Sequence, residues 1–168
     1  HIYCTDLKAK HTDNGLRIKS ATTRGGMVED VYFVNSVLDS VRVAYQFNLN
    51  WYPAYSYSEL PAGYNIDSVP QHWKAMLQKV VPAEKGIPQT RDFFINNVTI
   101  THAQKAFEVN GLTNSRIRNF NFNNSSVSAA TLGDMIFAED WNFKQFRLVI
   151  EKKEKEKKKP AGGIEEQE

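Results

Sequence analysis

The residues best suited to chemistry are Arg17 and Lys19, in the stretch Asn14-Gly15-Leu16-Arg17-Ile18-Lys19-Ser20. Apolar and basic residues alternate there with the period of a β-strand. Arg17 and Lys19 therefore leave one face of the strand, and Leu16 and Ile18 point inward from the other. Two cations fixed on a rigid sheet suit an anionic ligand, and the planar fork of a guanidinium matches a carboxylate. Neither group readily takes a proton at neutral pH, so the pair alone binds rather than catalyses. The same spacing also describes an ordinary solvated strand face.

Other chemistry is sparse. His1, His11, His72 and His102 show no metal-ligand spacing with Cys4 or with acidic partners, so neither a metal nor a cofactor is expected. Phosphate-cradling glycine loops and nucleophile elbows are absent. Asp6, Asp13, Glu29 and Asp30 are candidate carboxylates, yet no two pair on one strand face as a glycosidase acid and base would. Residues 45–89 read as an insertion carrying Trp51, Tyr52, Tyr55, Tyr57, Tyr64 and Trp73 among several prolines. Such rings can pack on the C–H faces of sugars, although many must simply hold the segment in place. A short helix is expected near residues 73–81. Asn97-Val98-Thr99, Asn123-Asn124-Ser125 and Asn124-Ser125-Ser126 match glycosylation acceptors, a match that arises easily in asparagine-rich corners.

The elements that must position the basic pair show in a near repeat. Asp92-Phe93-Phe94-Ile95-Asn96-Asn97 returns as Asn119-Phe120-Asn121-Phe122-Asn123-Asn124, with Ile100 matched by Val127. The frame occurs earlier as Asp30-Val31-Tyr32-Phe33-Val34-Asn35 with Leu38, and in degraded form at Phe146, Leu148 and Ile150. Phe93, Phe120 and Phe146 are thus expected in one interior column. Alternation of period two excludes tetratricopeptide and ankyrin repeats, and the leucine pattern of leucine-rich repeats is missing. A parallel β-helix fits: short strands stack coil on coil, and asparagines recur at a corner, where their amides can form a ladder. A β-sandwich that happens to repeat is the alternative. Gly15, after Asn14, is expected to supply a corner of positive φ.

With 168 residues, the chain has room for one domain and a tail. A net charge of +2, with much of the lysine in residues 151–168, argues against nucleic acid. No apolar run reaches membrane-spanning length. Residues 151–168 read as a charged, disordered tail. The chain starts in a strand-like segment at His1, which is expected of part of a longer polypeptide.

Leu16-Arg17-Ile18-Lys19, followed by Arg24-Gly25-Gly26-Met27-Val28-Glu29-Asp30-Val31 and the repeating segments, resembles glycoside hydrolase family 28, the polygalacturonases and related pectin-degrading enzymes. The likeness covers residues 1–150. It implies the C-terminal coils of a right-handed parallel β-helix of the pectin lyase-like kind, in which the basic residues of an Arg-Ile-Lys motif grip a galacturonate carboxylate. By that match Arg17 and Lys19 bind substrate, and Tyr52 is the best candidate for a tyrosine one coil further on. The partner would be an acidic plant polysaccharide, the location extracellular or periplasmic, and the reaction an inverting hydrolysis of galacturonide linkages. Rhamnogalacturonan and xylogalacturonan are related substrates. The family's Asn-Thr-Asp, Asp-Asp and Gly-His-Gly segments precede its basic motif and do not occur here. No catalytic residue is therefore assigned. The missing N-terminal coils of the same polypeptide would supply them, and this chain alone is expected to be inactive. A non-catalytic carbohydrate-binding or structural β-helix is the reading from another class.

Overall fold

The computed structural model describes residues 1–52 and 59–151. The expected tail at 151–168 lies outside the described residues except for Glu151, as do Tyr55 and Tyr57 of the insertion. The chain is mostly β, and the nine strands among the described residues pair in parallel. They fall into five successive tiers. The first holds β1 (Ile2–Thr5), β2 (Lys8–Lys10) and β3 (Asn14–Lys19), and the second β4 (Met27–Val28), β5 (Val31–Asp39) and β6 (Val43–Asn48). Then β7 (Gln89–Asn110), β8 (Ile117–Ile136) and β9 (Ala138–Ile150) form one tier each. No helix among the described residues is long and apolar enough to cross a membrane.

Register follows the repeat read from the sequence. Val31 lies beside Phe93 and Phe93 beside Phe120; Phe33, Ile95 and Phe122 form a second column, and Leu38, Ile100 and Val127 a third. All are buried. The Phe93 and Phe120 rings stack at 4.4 Å with 7° between their planes. An aromatic contact of this kind adds about 0.5–1.5 kcal/mol beyond the area it buries.

Each tier bends at residues in the left-handed backbone region. These stack: Asp30, Asp92, Asn119 and Asp140 at one corner, and Asp6, Asn35, Asn97, Asn124 and Gln145 at the next. His11, Ser40 and His102 share a third. Asn and Asp tolerate that conformation better than most residues. The expected amide ladder is present: Asn97 Nδ2 donates to Asn35 Oδ1 at 2.9 Å, and Asn124 Nδ2 to Asn97 Oδ1 at 3.4 Å. Buried serines take up backbone donors near these corners, as where Val98 N–H donates to Ser125 Oγ at 3.0 Å.

Four expectations need correction. Trp141, not Phe146, continues the Phe93–Phe120 column, stacked on Phe120 at 4.5 Å. Phe146 instead lies beside Ser125 and packs edge-on against Phe122 at 5.3 Å. The cause is a shortened tier. A six-residue connection separates β7 from β8, but only Phe137 separates β8 from β9, so the last repeat comes early. Second, the insertion begins after β6, since residues 45–48 pair in register with both β3 and β7. Third, Gly15 does not adopt positive φ; a Cβ there would sit 2.5 Å from the carbonyl oxygen of Ala44, so glycine permits the close approach of two tiers. Fourth, the expected short helix is present but shifted: α1 spans Gln71–Leu77, beginning before Trp73 and ending before Val81, with Pro70 at its N-cap. The insertion is anchored at its far end, where Gly25 N–H donates to Gly86 O at 2.8 Å and Arg24 Nη2 to Met76 O at 2.7 Å.

Candidate functional site

Alternation on β3 places the basic pair as the sequence predicts. Leu16 and Ile18 pack against the core. Arg17 and Lys19 leave the other face, where their neighbours across the tiers are Gln46 and Asn48 on β6, then Glu108 and Asn110 on β7. Arg17 is half-buried and Lys19 exposed.

After β6 the chain folds back, and Trp51 N–H donates to Ser20 O at 3.0 Å. That turn brings the Trp51 ring to the basic pair: its centroid lies 4.0 Å from Lys19 Nζ and 5.3 Å from Arg17 Cζ. Each cation–π contact contributes about 0.5–1 kcal/mol at a site this open. Trp51 is 38% exposed. The Tyr52 ring adjoins it at 5.8 Å and is half-exposed. Arg17, Lys19 and Tyr52 are thus gathered around one indole.

Acidic groups flank the pair. Asp13 accepts from Arg42 at 2.5 Å and lies 4.0 Å from Arg17 Nη1. The hydrogen bond from Arg42 is the main reason its carboxyl titrates below the usual range. Burial pushes Glu108 up, but hydrogen bonds from Gln46 Nε2 at 2.5 Å and Lys105 Nζ at 3.2 Å outweigh it, leaving a lowered pKa. Both carboxylates stay ionised and are suited to holding cations in place rather than to donating protons. Arg17 Nε is buried without a hydrogen-bond partner among the described residues. An unmet guanidinium donor at this depth is costly.

The remaining candidates do not converge. Glu29 pairs with Arg91 at 2.8 Å, Asp30 lies 3.4 Å from the His1 ring, and Asp6 occupies a corner. His102 Nδ1 and Asp39 Oδ1 lie 2.7 Å apart at another corner. Among the described residues, no group of three or more His, Cys, Asp and Glu side chains is placed to hold a metal ion.

No family model and no curated protein matches the sequence.

Trp51 belongs to the site, although in the sequence it stands only among the insertion aromatics. Its position directly before Tyr52 was the available signal. Gln46 and Asn48 are hidden in the sequence because residues 45–48 read as part of the insertion, whereas they form the strand beside Arg17 and Lys19.

Proposed function

We propose that this chain forms the C-terminal coils of a right-handed parallel β-helix and binds an acidic polysaccharide through Arg17, Lys19, Trp51 and Tyr52. The intact protein would hydrolyse galacturonide linkages of pectin by an inverting mechanism, with the acid and base carboxylates supplied by coils outside this sequence. The observation that carries this reading is the indole beneath two cations. A uronide ring combines a carboxylate, which a guanidinium fork and an ammonium recognise, with a C–H face that packs on an aromatic ring. Stacked left-handed corners and the strictly parallel register support the β-helix. The resemblance of the Arg-Ile-Lys stretch to glycoside hydrolase family 28 supplies the substrate.

Asp13 is bound by Arg42 and Glu108 by Gln46 and Lys105, so both carboxylates beside the pair are already engaged within the chain. A non-catalytic carbohydrate-binding β-helix is the second reading. Reducing-sugar release from polygalacturonate, measured with this chain and with the polypeptide extended upstream of His1, tests the pair of readings. Turnover by the extended form alone is the expected result. Turnover by this chain would contradict the division of labour, and inactivity of both with retained binding would favour the second reading.

A further inference from the structure

Where β7, β8 and β9 begin, the surface opens into a groove of about 400 Å³ whose lining includes Glu84, Arg91, Asn114, Arg116, Arg118 and Glu139. This is within the size range of small-ligand sites. None of Arg17, Lys19, Trp51 and Tyr52 lines it. Register sets Arg91 directly beside Arg118, and Arg118 beside Glu139. Like charges on neighbouring strands, about 4.8 Å apart, repel unless they are compensated.

Compensation is uneven. Arg91 donates through Nε and Nη2 to Glu29 Oε2 at 2.9 and 2.8 Å. Glu139, the carboxylate nearest in register to Arg118, lies 3.5 Å from Arg116 Nε instead. Arg118 is exposed and has no ion pair or hydrogen bond among the described residues. The groove therefore offers one uncommitted guanidinium beside a second, Arg116, which is held by Glu139 at 3.5 Å and lies over the Phe137 ring at 5.9 Å. Glu84 and Asn114 add an acceptor and an amide to the same lining.

This mixture distinguishes between anions. A sulfate ion would meet Arg118 but has no hydroxyl donor to satisfy Glu84, which would repel it. A sugar acid has both parts, a carboxylate for the guanidinium and hydroxyls for the acid and amide. We propose that this groove is a second saccharide-binding site, taking a uronate carboxylate on Arg118 and Arg116 and its hydroxyls on Glu84 and Asn114. The choice of ligand class rests on the function proposed above, but the site shares no residue with the Arg17 cluster.

The test is an NMR titration of the ¹⁵N-labelled chain with digalacturonate, following the Asn114 amide, the arginine Nε–H groups and the Trp51 indole. The Arg116, Arg118 and Asn114 signals should shift. Arg118→Gln should weaken that response about tenfold or more while leaving the Trp51 response unchanged. Arg118 is exposed, so an unaltered far-UV circular dichroism spectrum is expected of the variant. Inorganic sulfate at equal concentration should shift the same signals less. Silence of the groove signals, indifference to Arg118→Gln, or sulfate binding as tight as the uronate would overturn the proposal. A responding groove with a silent Trp51 would instead sink the Arg17 site and leave this one standing.

Discussion

Lys19 holds its ammonium 4.0 Å from the centroid of the Trp51 ring, and the two residues come from different tiers of the stack. The contact joins a strand whose alternation is plain in the sequence to a turn whose position is not. It makes the indole a floor for the basic pair and gives the site a spectroscopic reporter. Trp51→Ala should weaken binding of an oligogalacturonide about tenfold, the scale of one or two cation–π and stacking contacts. In the unsubstituted chain, ligand binding should change tryptophan fluorescence, and Trp51→Phe should remove most of that change. Full affinity in Trp51→Ala would show that the ring is only packing.

The interior columns make a separate prediction. Phe120 is fully buried between Phe93 at 4.4 Å and Trp141 at 4.5 Å, whereas Phe146 is half-buried in a neighbouring position. Phe120→Ala should cost about 3–5 kcal/mol, and Phe146→Ala clearly less. Chemical denaturation of the two variants gives the comparison directly. Equal losses would mean that Phe146, rather than Trp141, is the true continuation of the column.

Much of this architecture is legible in the sequence because its physics is local and repeated. The Phe93 and Phe120 segments agree in apolar spacing and in the asparagine at the corner, so parallel stacking follows from pattern alone. The pattern fails where the repeat length changes. Loss of the connection before β9 shifts Trp141 into the column, and alternation cannot detect a deletion between strands when Phe146 offers an equally apolar match. The site is half legible for a similar reason. Arg17 and Lys19 announce themselves by alternation within one strand, but Trp51, Gln46 and Asn48 reach them only through register between tiers. Gly15 shows the limit at a single residue: its need for glycine comes from Ala44 on the next tier, not from its own turn.

The corner formed by His102 and Asp39 should be sensitive to pH. The hydrogen bond to Asp39 raises the pKa of His102 above its ordinary value, with the Asp39 charge adding to the effect. In return, His102 is the main reason that Asp39 is held well below the usual carboxylate range, followed by Lys10 at 3.1 Å. The histidine contribution to stability is complete below about pH 6.5, where the unfolded side chain is also protonated. It is lost as pH rises through the higher folded value. The Asp39 contribution is present above about pH 4 and disappears only in stronger acid. An NMR titration should give His102 a midpoint above that of a free histidine, and Asp39→Asn should lower it towards the ordinary value. A midpoint unaffected by Asp39→Asn would contradict the pairing.

The central claim is that the basic pair reads a carboxylate. It is tested most directly by calorimetric binding of trigalacturonate and of its fully methyl-esterified form to the chain and to Arg17→Ala. The ester keeps the sugar rings and removes the charges, so it isolates what the guanidinium recognises. The substitution should weaken the acid form about tenfold or more and leave the ester nearly unchanged. An equal loss for both ligands, or no loss for the acid, would contradict the assignment.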